Sequence, residues 1–516
     1  MSLDIRKGFQ MIVFKGARSA VCLAAIVAGS TAFAEVTAQQ VWDNWKDQLD
    51  LYGEGGVTIG SETMSGSTLT VSDLSIQMSD PEANITATLD EIQLTEMGDG
   101  TVSITMSDTY RVTVTFTPTP GDPTILNIVA RNEGMSVIVS GTPDVMEYAL
   151  DAPSYVVALE GIAGDGADEI DINAAAITMT NLSGAYVTRT DNLQRVDYAL
   201  AVDSVDITAD VREPGGDGML VMNGTLADVT AQATIALPID MDMDAPETAF
   251  IDGLSIAGGY SFGATSYDFA IDADGELADG TASIEGGSLT VAMDIDGLLY
   301  QGETRGLNVL LNIPGELPFP VEAQLGAYGF AMEVPLSSAD EPRDFALSLN
   351  IADLAVSNGI WNMVDPGEIL PRDPATASFE LSGTATPFFD LLDPEQAQAA
   401  AMSDIPGELN SLSLDSLKLA IAGALITGDG SFTFDNDDLA TFDGFPRPEG
   451  ALELSINGVN GLIDRLIQMG LLSEEQAMGG RMMLGMFATP VGDDMLTSTI
   501  EVNSEGHVLA NGQRLR

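Results

Sequence analysis

Six times between Leu69 and Leu419 the sequence repeats one short pattern: two alternating apolar residues, two turn-type residues, then two more alternating apolar residues. The copies are Leu69, Val71, Leu74, Ile76; Ala87, Leu89, Ile92, Leu94; Leu200, Val202, Val205, Ile207; Met293, Ile295, Leu298, Tyr300; Leu349, Ile351, Leu354, Val356; and Leu412, Leu414, Leu417, Leu419. Successive side chains of a strand point to opposite faces, so strict alternation would send the second apolar pair to the wrong side. One extra residue at the centre, a β-bulge, restores the phase and keeps all four on one face. The centres are acidic or small, as in Ser72-Asp73, Asp90-Glu91, Asp203-Ser204 and Asp415-Ser416, and most lack the glycine that a tight hairpin favours. The pattern predicts long, bent strands, each with one continuous apolar face. The copies are unevenly spaced, which argues for strands of one sheet and against the fixed period of a solenoid.

Around these copies, residues 55 to about 360 keep period two almost without break, as in Val102, Ile104, Met106 and Tyr328, Phe330, Met332, Val334. The expected fold is mainly β: an elongated, bent antiparallel sheet, groove-like or sandwich-like, with an N-terminal amphipathic helix and a C-terminal helix pair. The first helix follows from Thr37-Ala38-Gln39-Gln40, a capping-box pattern, and from Val41, Trp42, Trp45, Leu49 and Tyr52 on one face before Gly53. Near the end, Val459, Leu462, Ile463, Leu466 and Ile467 recur at helical spacing after Asn457-Gly458, and Ser473-Glu474-Glu475-Gln476 is a second capping box. That helix carries Met478, Met482, Met483, Met486 and Phe487 towards Pro490, and strands at Met495 to Val502 and His507 to Ala510 close the chain. A further helix is expected with Asp393 as cap and Pro394 at its first position.

The first 34 residues hold Arg6, Lys7, Lys15 and Arg18, an apolar run from Ala20 to Gly29, and Ala32-Phe33-Ala34. Basic start, short apolar stretch and small-residue cleavage site together read as a secretory signal peptide cut before Glu35. The expected organisation is residues 1–34 signal peptide, 35–53 helix, 54–374 β-rich body and 375–516 C-terminal β region with helix pair and terminal hairpin. The location expected is the periplasm, with no transmembrane segment after cleavage. The single cysteine, Cys22, lies inside the leader, so the mature chain has neither disulfides nor thiolate metal sites.

The formal net charge is −59, and loss of the leader takes it to −62, with Lys46 and Lys418 the only lysines left. That balance argues against nucleic acid as a partner and against anionic membrane surfaces, both of which are bound through Lys and Arg. One histidine, His507, excludes multi-histidine metal sites. Asp240-Met241-Asp242-Met243-Asp244 starts like an EF-hand loop, but Ala245 and Ile251 stand where its glycine and closing glutamate belong. Asp272-Ala273-Asp274-Gly275 and Asp435-Asn436-Asp437-Asp438 fail likewise, so neither metal nor cofactor is expected.

Gly259-Tyr260-Ser261-Phe262-Gly263 has the letters of a nucleophile elbow, which needs a strand, a sharp turn and a helix. Its flanks are both strand-like, and His507 is the one imidazole available as a base. A serine hydrolase is the least favoured reading, and no catalytic residue is assigned.

Ile360-Trp361-Asn362-Met363-Val364-Asp365-Pro366 through Leu370-Pro371-Arg372-Asp373-Pro374, with Asp443-Gly444-Phe445-Pro446-Arg447-Pro448-Glu449-Gly450, resembles an uncharacterised proteobacterial envelope family, domain of unknown function number 2125. That resemblance implies no activity and no functional residues. More loosely, the repeated pattern and Gly506-His507-Val508-Leu509-Ala510-Asn511-Gly512-Gln513 are similar to AsmA-like periplasmic proteins, which implies a long curved sheet with an apolar, lipid-handling groove. The expected function is a non-enzymatic envelope protein binding lipid or another apolar ligand along the sheet. The alternative is a structural or interaction protein whose sheet closes over a dry core. An outer-membrane barrel is opposed by the scarcity of aromatics and by the terminal helices. Leu462, Leu466, Met482, Met483 and Met486 are the candidate ligand or lid surface, with Leu462, Leu466 and Met482 expected to pack on the sheet face or groove end.

Overall fold

A computed structural model describes residues 36–49, 56–79, 83–116, 123–164, 170–213, 218–239, 248–273, 275–403 and 405–516. The expected leader, Cys22, the Tyr52-Gly53 helix stop, the Asp240–Asp244 run and most of the Glu213–Gly218 turn cluster lie outside these. Residues Glu35–Arg516 form one compact unit. Among the described residues there are six helices: α1 (Ala38–Leu49), α2 (Thr248–Ile251), α3 (Asn358–Val364), α4 (Pro394–Met402), α5 (Val459–Gln468) and α6 (Glu474–Phe487). Everything else that is regular belongs to one antiparallel sheet of 26 strands.

The sheet is an up-and-down meander in which each long strand pairs with the next. Four of its rungs are made of two collinear strands, for example Ser255–Phe262 followed by Thr265–Ala273, both paired with Met219–Pro238. The sheet is also open. Among the described residues the first strand, Val57–Ser65, pairs only with Thr68–Ser79, and no ladder joins it to the last strands.

The extra residues at the centres of the repeated pattern line up into a single row. Val71–Ile92 and Leu74–Leu89 pair on either side of Asp73 and Asp90. Val202–Val229 and Ser204–Ala227 do so around Asp203 and Asp228, and Arg305–Ala327 and Leu307–Leu325 around Gly306 and Gly326. The row runs through Pro153 and Asn181, and reaches Asp353, whose N–H donates to Thr376 Oγ1 at 3.2 Å. It is a crease crossing the sheet from its first strand to Arg343–Val356. Asp73, Asn181, Asp228 and Asp353 take φ of 55°, 53°, 51° and 56° in mid-strand. Asp and Asn are the residues that tolerate this left-handed region with least strain after glycine.

Because both neighbours carry the extra residue in the same row, the phase resets without any shift of register. This differs from the isolated bulge expected from the sequence. On this row, register shifts occur later in the sheet, where one strand alone carries the insertion: between Ile351 and Leu354, and between Leu414 and Leu417. Away from the row, shifts also fall between Asn127 and Ile128 and between Asp210 and Val211. The copy at Met293 to Tyr300 corrects the expectation of a bent strand. Asp294 Oδ1 accepts from the N–H groups of Asp296 and Gly297, and the chain turns there as a hairpin that pairs Met293 with Leu298.

Both capping boxes form. Thr37 Oγ1 accepts from Gln40 N–H at 3.3 Å while Gln40 Oε1 accepts from Thr37 N–H at 3.0 Å. Ser473 and Gln476 do the same at α6, and Asp393 caps α4 with Pro394 at its first position. Helix α3 stands where period two had been read up to Ile360. Strand pairing passes from Arg343–Val356 to Ala375–Pro387, so the sheet is continuous across residue 374.

Candidate functional site

Directly paired residues of an antiparallel sheet project from the same face, so a face can be followed from strand to strand. Starting at Leu69, the file of direct partners is Leu94, Ile104, Val137, Leu150, Gly184, Leu200, Ala231, Tyr260, Leu289, Gly302, Phe330, Leu349, Phe379, Leu417, Gly428, Leu454 and Ser498. Every member before Ser498 is apolar or glycine. Across the crease a second file runs Val157, Ile177, Ile207, Gly224, Tyr267, Ala282, Val309, Ala323 and Val356. The phase reset at the crease places it on the same side as the first. Away from the strand ends, where Arg343 and Glu276 share the apolar face, ion pairs such as Arg189–Asp197, Arg212–Asp210 and Arg305–Glu303 sit on the other face.

Among the described residues this face is covered at its two ends: at the far end Ser498, 3% exposed, donates to the Phe487 carbonyl of α6, and Ile456 is buried. The larger cover is over the beginning of the face. Helix α1 lies on it, with Val41 and Trp42 0% exposed, packed in a cluster with Leu69, Val71, Ile92, Leu94, Val102, Ile104, Val139 and Met146. Aromatic rings continue from the helix onto the sheet, Trp42 to Trp45 at 6.4 Å, Trp45 to Tyr148 at 6.4 Å and Tyr148 to Tyr186 at 5.4 Å. Burial pushes the Tyr148 hydroxyl up to about 12, and it donates to Asn44 Oδ1 at 3.3 Å.

Beyond Ala152 the described residues include only three buried apolar side chains larger than alanine: Val202, Ile456 and Val502. Tyr198, Leu200, Ile256, Tyr260, Tyr300, Tyr328, Leu347 and Leu419 all stand on the apolar face and are 36–48% exposed. Scattered exposed apolar residues are ordinary, whereas a contiguous apolar face on this scale is not.

The sequence-derived candidates fall at one end. Helix α5 packs against Ala424–Asp435 and α6 against Met495–Val502. Leu462 and Leu466 are half-buried. Met482, expected to pack on the sheet, is 65% exposed, and Met483 and Met486 are 62% and 56% exposed. The reason is that α6 buries Ala477 instead and turns its methionines outward. Sequence periodicity did not show that Asp494, in the turn before Met495, caps α5 from a distance. Its carboxylate accepts from Asn460 and Gly461 N–H at 3.0 and 2.8 Å. Burial pulls the Asp494 carboxyl up, and these two donors more than offset that, holding it below the usual range.

Ser261 lies within the strand Ser255–Phe262, its neighbour Tyr260 being on the apolar face and Ser261 on the other, where it shares a 2.8 Å hydrogen bond with Thr230. No strand–turn–helix elbow exists at that motif, and Ser261 and His507 share neither an element nor a neighbouring strand. The Asp435–Asp438 cluster holds a cation of the chain's own: Arg447 donates to Asp435 Oδ2 at 2.6 Å and to Asp438 Oδ2 at 3.1 Å.

The first motif behind the family resemblance, Ile360 to Pro374, is likewise tied together from within. Asp365, 1% exposed, accepts from Ile369 and Leu370 N–H at 3.0 and 2.8 Å. Arg372 donates to Asn358, Asn362 and the Asp365 carbonyl. Both motifs therefore bind the chain to itself, each around one arginine.

Fold and site thus define a mainly β protein whose single antiparallel sheet carries an apolar face that, among the described residues, is half-buried or exposed over most of its length. Residues 331–509 match the family described as "Uncharacterized protein conserved in bacteria (DUF2125)". No curated protein matches this chain. Among solved structures, BauA, the ferric preacinetobactin receptor from Acinetobacter baumannii, aligns over 89% of this chain and 78% of its own at 8% identity. Its TM-score of 0.14 is too low to carry any argument.

Proposed function

We propose that this is a secreted, non-enzymatic protein of the cell envelope that holds lipid, or another apolar ligand, along the uncovered face of its sheet. The observation that carries this reading is the unbroken apolar file from Leu69 to Leu454, covered by α1 at its start and exposed at Leu200 and Tyr260. A sheet folded shut over a dry core would bury those side chains. Burying a methylene gains about 0.8 kcal/mol, so ten methylenes of an acyl chain would gain about 8 kcal/mol. That is the scale of a micromolar complex before ordering costs. The basic, apolar and small-residue leader at Met1–Ala34 supports export to the periplasm.

The test is titration of the mature protein with an apolar fluorescent probe, then competition with phospholipid. Leu200→Asp with Leu347→Asp, at positions 38% and 43% exposed, places charge on the face without opening a core. Probe fluorescence should rise with the unaltered protein, be displaced by lipid, and fall at least tenfold in affinity in the double variant. No enhancement, or equal binding by the variant, would overturn the reading. Terminal sequencing of the exported protein should begin at Glu35.

A further inference from the structure

We infer that the ligand is a diacyl phospholipid with a zwitterionic head group and that anionic lipids are selected against; this rests on the lipid-holding reading above. Neither apolar file contains a charged side chain, and the one arginine that strand register places on this face, Arg343 at the end of its strand, is paired with Asp296. Burying an unpaired charge there is prohibitive, so acyl chains occupy the face and the head group stays in water at the strand ends. There the charge is one-sided. The meander places the turns at residues 97–101, 143–144, 191–192, 294–296 and 336–342 at the same end of their strands. They carry Asp99, Asp144, Asp191, Asp294, Asp296, Asp340 and Glu341, and no Lys or Arg.

The nearest arginines are already engaged: Arg195 lies 3.9 Å from Asp191, and Arg343 lies 3.4 Å from Asp296. A net charge of −59 adds a repulsive field of the same sign. An anionic head group would meet carboxylates on arrival, whereas the ammonium of an ethanolamine head group meets them with the favourable sign. Interactions of this kind act over about 10 Å at 0.1 M salt and about 3 Å at 1 M, so the preference must be sensitive to salt.

The experiment incubates the mature protein with vesicles of phosphatidylethanolamine and phosphatidylglycerol in equal amounts with matched acyl chains. The protein is re-isolated and its bound lipid quantified by mass spectrometry. The expected result at low salt is roughly five- to tenfold enrichment of phosphatidylethanolamine, shrinking towards parity at 1 M salt. Asp340→Asn with Glu341→Gln, both in an exposed turn, should reduce the enrichment at low salt while leaving total bound lipid unchanged. Equal uptake, enrichment of phosphatidylglycerol, or a preference unmoved by salt overturns the head-group inference while leaving lipid binding in place. Retention of neither lipid overturns the lipid-holding reading itself, and this inference with it.

Discussion

Asp353 shows in one residue how the crease is held. Its φ of 56° is a conformation that a β-branched side chain resists, and its N–H is satisfied by Thr376. Asp353→Val should therefore cost about 1–3 kcal/mol, whereas Asp353→Gly should be near neutral, measured by denaturant unfolding of the mature protein. Equal stability of the two variants would show that the left-handed backbone is not what maintains the crease. Part of this was legible beforehand, because Asp73, Asp90, Asp203 and Asp353 sit at the centres of the repeated pattern. What the sequence of one strand could not show is that neighbouring strands insert their extra residue in the same row. Gly326, whose added Cβ would stand 3.1 Å from Asp353 Cβ, reads in isolation as ordinary strand punctuation. Asp365 gives a pH-dependent test. The N–H groups of Ile369 and Leu370 hold its carboxyl below the usual range, so the folded state prefers it ionised. Its contribution is complete above the usual carboxylate range and is lost as pH falls below it. Asp365→Asn should accordingly destabilise at neutral pH, with the gap to the unaltered protein narrowing in acid.

At the scale of elements, helices cover the apolar face at its start and stand beside the last strands at its end. Trp42 is 0% exposed in the only large apolar cluster of the described residues. Trp42→Ala should cost about 3–5 kcal/mol, observed as a lowered unfolding midpoint. An unchanged midpoint would mean that α1 does not stabilise the sheet. Asp494→Ala removes a cap that α5 lacks locally, since Gly458 offers no side chain. The expected loss is about 1 kcal/mol, with faster amide exchange confined to the first turn of α5. The extents of α5 and α6 were legible because apolar spacing and a capping box are local signals. The Asp494 cap was not, because its partners lie more than thirty residues away in sequence. The outward turn of Met482, Met483 and Met486 was also hidden, since periodicity gives a helix its stripe and does not say what meets it.

For the whole molecule, the period-two pattern foretold a mainly β chain with same-face apolar residues, and the resemblance to the uncharacterised family is found again over residues 331–509. Open and closed arrangements of that sheet have the same alternation, so sequence alone left the groove and the sandwich equal. Side-chain exposure among the described residues favours the groove: Leu200 and Tyr260 of the apolar file are exposed, and its members from Val137 to Leu454 are otherwise only half-buried. On this account the face is a working surface, and a ligand completes the core that the chain leaves unfinished. The most direct measurement is mass spectrometry of small molecules carried by the protein when isolated, without detergent, from the periplasm of its native cells. The account predicts lipid in at least equimolar amount, lost in the Leu200→Asp, Leu347→Asp variant. Protein that is folded, monodisperse and free of any apolar small molecule would contradict it.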